Sequence, residues 1–412
     1  MIYLFIFIYL LFLSIHYDIL ENKKYKWTHF KIVITLLILV AGLRWRVGTD
    51  TVIYAQEFNQ FHDLFHLELS DFESFNRMPF WVLFNSICKT IWDNFVLVQL
   101  VVAAFSLSTT GYFIRKVSPS LCFFILLCYF LSSQYFVMNM ELLRETIAVG
   151  FYFLSILSVN DNRLTKAVLY AFIAIMFHVF AIAAFFVFFC FYYLFPKSKY
   201  FYLFVCSILL IVVCFDSSFI IFMMYNSINI LPINADVLLT ILTYSVSDKY
   251  GSLDKSVINY ISLFIQVVVY LFMLYKSKNI YKKYVFLKWR MFSSLVVACV
   301  ILLICKFSFT ILFRIQLSYN YLYTCIVAVV FSKGVLIDSV LKRQRVFVYL
   351  VLLIVPFLFA FKQYYMFDRL CDNYRWYIRY YPYSSVFDKT INLEREKHHT
   401  FRGAGYSKEN DY

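Results

Sequence analysis

The stretch MIYLFIFIYLLFLSIHYDIL, residues 1–20, contains a single charged side chain, Asp18. A helix needs about 20 largely apolar residues to cross the hydrocarbon core of a bilayer, so this stretch predicts a membrane span. Similar apolar runs predict further spans near residues 25–43, 95–114, 120–138, 145–159, 167–195, 200–223, 257–275, 289–309, 317–331 and 346–361. The sequence therefore predicts an all-α polytopic integral membrane bundle of about 11–12 transmembrane helices, with interfacial and re-entrant half-helices.

The composition of the chain excludes a soluble globular protein. Of its 412 residues, 62% are hydrophobic and 15% are charged, whereas soluble domains have about 45–50% apolar and about 25% charged residues. The 38 Lys and Arg residues stand in short clusters between apolar runs. Such clusters orient membrane helices and do not indicate nucleic-acid binding.

Charge in the loops predicts the orientation. Segments rich in Lys or Arg at 22–31, 276–288 and 342–345 should be cytoplasmic, because short cytoplasmic loops carry an excess of Lys and Arg. We expect one membrane domain over residues 1–361, with outer loops at 44–94 and 224–256. Residues 362–412 then form an extracellular C-terminal tail.

One apolar run is too long for a single upright helix. Residues 167–195 comprise 29 residues, or about 43 Å of helix, against a hydrocarbon core of about 30 Å. The run is therefore either one long tilted helix or two half-helices that meet near His178. We favour two half-helices, since this choice returns the chain to the inside at Lys197 and Lys199 and places His178 in the outer half of the membrane.

Arginines outside the cytoplasmic clusters form the main functional signal. Guanidinium groups stay charged and bind phosphate oxygens through two parallel hydrogen bonds. A single interfacial arginine is commonly a snorkelling side chain, but several at the outer face oppose the usual charge bias. We therefore predict a diphosphate-binding site from the arginines of this face, which are Arg44, Arg46, Arg144 and Arg314.

Acidic residues and one histidine accompany these arginines. Asp50 follows Arg46 closely and is either a base or the counter-ion of that arginine. On a helix, Glu141 and Glu145 would share a face around Arg144, where one carboxyl could serve as acid or base. His178 is an ionisable residue within an apolar run, which marks it as a functional candidate. The candidates for the catalytic base are Asp50, Glu141 and His178.

Metal and cofactor motifs are absent from the sequence. It contains no H-E-x-x-H, no C-x-x-C and no Gly-rich phosphate loop. Most of the 10 cysteines lie in apolar runs and are interpreted as small buried apolar groups. We expect neither a protein-bound metal nor a cofactor.

Sparse motifs are spread along the chain. They comprise the stretch from Gly42-Leu43-Arg44 through Val47-Gly48-Thr49-Asp50 to Tyr54, the helix that begins Leu143-Arg144-Glu145, the step Phe177-His178, Arg314 with Tyr319, and Tyr381-Pro382-Tyr383-Ser384-Ser385. These motifs resemble those of the EpsG family of Wzy-like bacterial polysaccharide polymerases. The resemblance extends from about residue 30 to about residue 390.

This resemblance implies a membrane glycosyltransferase of the bacterial cytoplasmic membrane with an outward-facing active site. It would join oligosaccharide repeat units carried on undecaprenyl diphosphate into a capsular polysaccharide, O-antigen or exopolysaccharide. Its partners would be that lipid-linked oligosaccharide and membrane lipid, with a flippase and a chain-length regulator as candidate protein partners and no nucleic acid. Arg44, Arg46, Arg144 and Arg314 would bind the diphosphate.

Three other functions remain open from the sequence. A transporter or flippase for lipid-linked glycans would also need charged residues, but we would expect internal repeats and polar residues across the midplane. A ligase or acyltransferase with a polyprenyl-linked donor would use the same site chemistry. A structural subunit would tolerate the loss of Arg44 or Arg144 without a change in glycan length.

Overall fold

The computed structural model describes residues 1–74, 77–132, 134–179, 181–194, 199–215, 257–308, 321–368 and 371–401. These residues are almost entirely helical, and their one sheet is a two-stranded antiparallel pair. The chain divides into two compact units, of which the first comprises residues 1–182, 284–286 and 332–412.

The first unit contains most of the helices and the sheet. Its elements are α1 (Ile2–Leu13, extended by a π-helical turn at Ser14–Ile19), α2 (Lys26–Gly42), α3 (Thr51–Gln60), α4 (Leu69–Ser74), α5 (Pro79–Ile91), α6 (Phe95–Val117), α7 (Cys122–Leu131), α8 (Gln134–Met140), α9 (Leu143–Asn160), α10 (Leu164–Phe177), α16 (Arg345–Tyr365), β1 (Phe367–Asp368), β2 (Cys371–Arg375) and α17 (Leu393–Phe401).

The second unit comprises residues 183–283 and 287–331. Its helices are α11 (Ala181–Phe189), which begins at the boundary, α12 (Lys199–Phe215), α13 (Val257–Tyr284), α14 (Trp289–Ser308) and α15 (Tyr321–Phe331). The predicted outer loop at 224–256 lies outside the described residues.

Long apolar helices confirm the predicted class of an all-α membrane protein. Within the described residues, three segments are long and apolar enough to cross a bilayer: Ile2–Ile19, Phe95–Val117 and Lys342–Tyr365. The number rises to five if each of two bent helix pairs is one span. The larger count of about 11–12 spans stays a prediction.

The core of the first unit forms where helices approach without large side chains between them. Gly42 of α2 faces Leu100 of α6, and Gly111 of α6 faces Ile34 of α2, with no room for a further methyl group at either glycine. Small residues allow close helix packing in membranes, where van der Waals contact drives association. The two helices are therefore in contact along much of their length.

Local signals explain the boundaries of the helices before this core. Asn94 caps α6, because its side chain accepts a hydrogen bond from the amide of Val96 at 2.9 Å. Pro79 opens α5, where its missing amide hydrogen is not needed. With 13 residues, α5 is about 20 Å long, which is consistent with the expectation that residues 79–92 do not cross the membrane.

A buried ion pair lies at the junction between α1 and α2. Nζ of Lys26 lies 2.7 Å from Oδ1 of Asp18, and the two side chains are 10% and 0% exposed. Oδ2 of Asp18 also accepts a hydrogen bond from the amide of Phe124 at 2.8 Å. Lys26 is the first residue of α2, whereas Arg44 lies two residues after Gly42, the last residue of that helix. The ion pair and the predicted arginine site therefore occupy opposite ends of α2.

The C-terminal segment, residues 366–368 and 371–401, packs within the first unit. Helix α16 continues past residue 361 to Tyr365, and Val386 donates a backbone hydrogen bond to Leu43 at 3.0 Å. The fold thereby gathers the end of α2, the start of α9, the end of α10 and residues 376–399.

Candidate functional site

The loop at residues 43–50 connects α2 to α3 and forms one wall of the site. Its backbone is hydrogen-bonded to the C-terminal segment: Trp45 donates to Ser384 at 2.9 Å, and Gly48 donates to Arg379 at 2.9 Å. Gly48 has a φ of +94°, a conformation that side chains with a Cβ rarely adopt. The loop therefore depends on a glycine at this position and on a segment more than 300 residues away in sequence.

Arg44 lies at the centre of this loop with no exposed surface. Its Nε donates to the carbonyl oxygen of Val47 at 3.1 Å, and Nη2 donates to Thr51 Oγ1 and to the carbonyl oxygen of Met140, both at 3.3 Å. Nη1 donates to the carbonyl oxygen of Ala41. Arg44 thus joins the loop to the end of α8 through its own hydrogen bonds.

Arg46 is also buried, with 1% of its surface exposed. Its Nε and Nη2 donate to the two carboxylate oxygens of Glu396 on α17, at 2.8 and 2.7 Å. This is the paired geometry in which a guanidinium binds a carboxylate most strongly. Sequence analysis considered Asp50 as the counter-ion of Arg46, but the structure gives this role to Glu396.

Glu141 forms a second link to the C-terminal segment. Its carboxylate lies 3.2 Å from Nη1 of Arg379 and accepts a hydrogen bond from the amide of Thr49 at 3.2 Å. Glu141 is 5% exposed. The predicted base candidate Glu141 is therefore charge-paired beneath the loop.

The prediction that Glu141 and Glu145 share a helical face is wrong. Helix α8 ends at Met140 and α9 begins at Leu143, so Glu141 lies in the turn between them. A spacing of four residues places side chains together only within a continuous helix. The two carboxylates consequently point to different partners, Glu141 to Arg379 and Glu145 to His178.

Of the three predicted arginines that the structure describes, Arg144 is the one with surface available to a ligand. It lies in the first turn of α9 and is partly exposed. Its Nε donates to the hydroxyl of Tyr54 at 3.5 Å, and its Cζ lies 5.8 Å from the centre of the Tyr54 ring. Among the described residues, no hydrogen bond engages its two Nη atoms. Burial raises the pKa of Tyr54, which keeps its hydroxyl protonated beneath the guanidinium.

Glu145, the residue after Arg144, forms a buried pair with His178. Nε2 of His178 lies 3.2 Å from Oε1 of Glu145, with 9% and 4% of the side chains exposed. Helix α10 ends at Phe177 and α11 begins at Ala181. This break agrees with the predicted interruption near His178, and it brings the imidazole to Glu145 at the start of α9.

Two further predicted residues are placed less completely. Asp50 is half-buried at the start of α3, and its Oδ1 accepts a hydrogen bond from Thr49 Oγ1 at 3.5 Å. Arg314 lies outside the described residues. The structure therefore places Arg44, Arg46 and Asp50 between α2 and α3, Glu141 against the amide of Thr49 in the same loop, and Arg144 against Tyr54 of α3.

Sequence analysis missed the residues that the C-terminal segment adds to the site. Arg379 pairs with Glu141, Glu396 pairs with Arg46, and Nη1 of Arg395 donates to the carbonyl oxygen of Arg46 at 3.3 Å. A signal was present, because the run from Glu394 to His399 concentrates charged and titratable residues in one short helix. No local pattern, however, indicates a partner about 350 residues earlier.

Acid is expected to loosen α17 from the loop. Nε2 of His399 donates to the carbonyl oxygen of Arg46 at 3.4 Å. Burial lowers the pKa of His399 to about 4, an effect that Glu396 opposes and that Arg46 and Arg395 reinforce. The pKa of a histidine in an unfolded chain is about 6.5. Docking of α17 should therefore be fully stable above about pH 6.5 and weaken as the pH falls toward about 4, because protons then bind the undocked state first.

Limited proteolysis of residues 376–401 over a pH series measures this effect. The cleavage rate of the wild-type protein should rise on acidification through that window, and His399→Gln should flatten the rise. An equal rise in both proteins would show that another group controls the docking.

Gly48→Ala is expected to destabilise the site. The added Cβ would collide with the carbonyl oxygen of Met140, and a positive φ costs a residue with a Cβ about 1–3 kcal/mol. The thermal unfolding midpoint in detergent should fall. Gln60→Ala is the control, since this side chain is exposed at the end of the neighbouring helix α3. Equal midpoints for the two variants would contradict the role assigned to Gly48.

The described structure is that of an all-α membrane protein with a polar site at one end of its first unit. The chain belongs to the EpsG family, whose sequence model matches residues 27–385, and this confirms the resemblance inferred from the motifs. The matched region contains Arg44, Arg144 and His178 and ends before α17. Neither a curated protein nor a solved structure matches the chain.

Proposed function

We propose that the protein is a membrane glycosyltransferase that polymerises oligosaccharide repeat units carried on undecaprenyl diphosphate. It would act at the outer leaflet of the bacterial cytoplasmic membrane and build a capsular polysaccharide, O-antigen or exopolysaccharide. Membership of the EpsG family supports a polymerase-like function. The observation that carries the proposal is the partly exposed Arg144 beside the buried pair of Glu145 and His178.

The proposed reaction transfers the growing glycan from its carrier to the next repeat unit. A hydroxyl oxygen of the incoming unit attacks the anomeric carbon of the growing chain. A new C–O bond forms, the bond between that carbon and the diphosphate oxygen breaks, and the hydroxyl proton passes to a base. The carrier leaves as undecaprenyl diphosphate. The protein must therefore stabilise a developing diphosphate charge and accept a proton.

Arg144 is assigned to the diphosphate. Its Nη atoms can form two parallel hydrogen bonds to phosphate oxygens. Its position in the first turn of the 18-residue helix α9 adds the partial positive charge of a helix N-terminus, which favours anions. In this assignment Arg44, which is held by backbone carbonyl groups, and Arg46, which is paired with Glu396, stabilise the loop and do not contact the diphosphate.

His178 is assigned as the base. Glu145 is close enough to orient the imidazole and to stabilise the imidazolium that forms when the ring takes a proton. Glu141 suits this role less well, since Arg379 already neutralises it, and Asp50 remains the second candidate because it is half-buried at the same end of the unit.

Purified protein in lipid vesicles provides the test. Vesicles are supplied with the lipid-linked repeat unit and no nucleotide sugar, and products are separated by size. We expect a ladder of products that differ by one repeat unit. Intact repeat units that cross the bilayer without a ladder would instead identify a flippase, and transfer of a single glycan to another acceptor would identify a ligase.

A further inference from the structure

One face of α3 carries a line of polar residues toward the site. Asp50 precedes the helix, and Tyr54 and Glu57 follow at spacings of four and three residues, which place side chains on the same helical face. Tyr54 contacts Arg144. Glu57 lies about 4.5 Å further along the helix axis and contacts a different arginine, Arg77.

Arg77 is held by Glu57 in a geometry that leaves it accessible. Its Nε donates to Oε2 of Glu57 at 3.3 Å, and its Nη2 donates to Oε1 of the same carboxylate. The side chain of Arg77 is 28% exposed and that of Glu57 is 15% exposed. Arg46 makes a similar paired contact with Glu396, but its side chain is only 1% exposed. Arg77, unlike Arg46, can therefore meet a ligand from solvent without disrupting the fold.

The charge of Glu57 acts on both arginines. It pairs directly with Arg77, and it also interacts electrostatically with Arg144. Two guanidinium groups thus share the charge of one carboxylate along this face of α3. A ligand that brings two adjacent negative groups would satisfy both guanidinium groups better than Glu57 alone.

We propose that Arg77 is a second arginine of the anion site. In this site a diphosphate binds between the guanidinium groups of Arg77 and Arg144, while Glu57 and Tyr54 hold these two side chains in place. This inference rests on the proposed function only for the identity of the ligand. Arg77 thereby takes the place of Arg44 and Arg46 as a diphosphate-binding arginine. It lies within the outer loop predicted at residues 44–94.

Binding of inorganic pyrophosphate to the purified full-length protein, measured by isothermal titration calorimetry, tests the inference. Arg77→Gln and Arg144→Gln should each weaken binding by about tenfold or more, as expected for the loss of charged hydrogen bonds. Arg163→Gln is the matched control, because this exposed arginine lies at the other end of α9, before α10. Its affinity should equal that of the wild-type protein.

The double variant Glu57→Gln/Arg77→Gln separates direct contact from an indirect effect. Without Arg77, the unpaired Glu57 could attract Arg144 and weaken binding indirectly, and the double variant removes this charge. Direct contact predicts that the double variant binds as weakly as Arg77→Gln. Recovery of wild-type affinity would overturn the inference, and so would unchanged binding by Arg77→Gln. If Arg77→Gln fails to fold because Glu57 is left unpaired, the double variant still allows the test, since it removes both charges.

These outcomes are distinct from those of the product ladder. Pyrophosphate binding that needs both arginines, in a protein that forms no ladder, would support the anion site and contradict the polymerase. A ladder from the wild-type protein, together with unchanged binding by Arg77→Gln, would support the polymerase and contradict the role of Arg77.

Discussion

Arg144→Ala is expected to lower the rate of polymer formation by about 100- to 1,000-fold, the loss typical of removing a group that stabilises developing negative charge. The partly exposed guanidinium of Arg144 lies over Tyr54 at the start of α9, where it would meet the diphosphate as the anomeric bond breaks. The measurement is the initial rate of ladder formation in vesicles, per mole of inserted protein.

Arg144→Lys and Arg163→Ala complete this experiment. Lysine keeps the charge but not the paired hydrogen bonds, so we expect only partial recovery. Arg163→Ala should retain the wild-type rate, because this side chain is exposed at the far end of α9. A normal rate from Arg144→Ala at normal insertion would show that the diphosphate binds elsewhere.

Glu396→Ala is expected to cause the largest loss of stability, about 3–5 kcal/mol, which is typical of removing one partner of a buried ion pair. The Arg46 side chain is 1% exposed and that of Glu396 is 11% exposed, so the substitution removes the carboxylate that pairs with a buried guanidinium. The thermal unfolding midpoint in detergent should fall, and residues 376–401 should become sensitive to protease.

Two variants separate the ion pair from other effects of the substitution. Glu394→Ala removes an exposed carboxylate from the same helix and should leave the midpoint unchanged. The double variant Arg46→Met/Glu396→Leu replaces the pair by apolar groups and should recover most of the lost stability. A double variant as unstable as Glu396→Ala would mean that Arg46 stabilises the loop mainly through other contacts.

The sequence predicted those features that follow from composition, length and periodicity. Apolar runs predicted the helices, and the excessive length of residues 167–195 predicted the break near His178, because 29 residues exceed the thickness of the bilayer. The expectation that Arg44, Arg46 and Arg144 emerge at one membrane face followed from the charges of the loops, and it stays a prediction. Each of these inferences depends on a local property of the chain.

The roles of individual arginines could not be predicted in the same way. Sequence identifies Arg44 as a charge but gives no indication that carbonyl oxygens of Ala41, Val47 and Met140 surround it. Likewise, the contact of Arg46 with Glu396 spans 350 positions. Such contacts depend on how distant segments pack, and they decide which arginine remains accessible to a ligand.

The central claim is that the protein breaks the bond between a glycan and its diphosphate carrier while it forms a glycosidic bond. The most direct measurement follows undecaprenyl diphosphate release and glycan length together, in vesicles that contain purified protein and a repeat unit with labelled carrier. We predict one carrier released for each repeat unit added, and loss of both signals in Arg144→Ala. Repeat units that remain joined to their carriers, while the wild-type protein moves them across the bilayer, would contradict the claim.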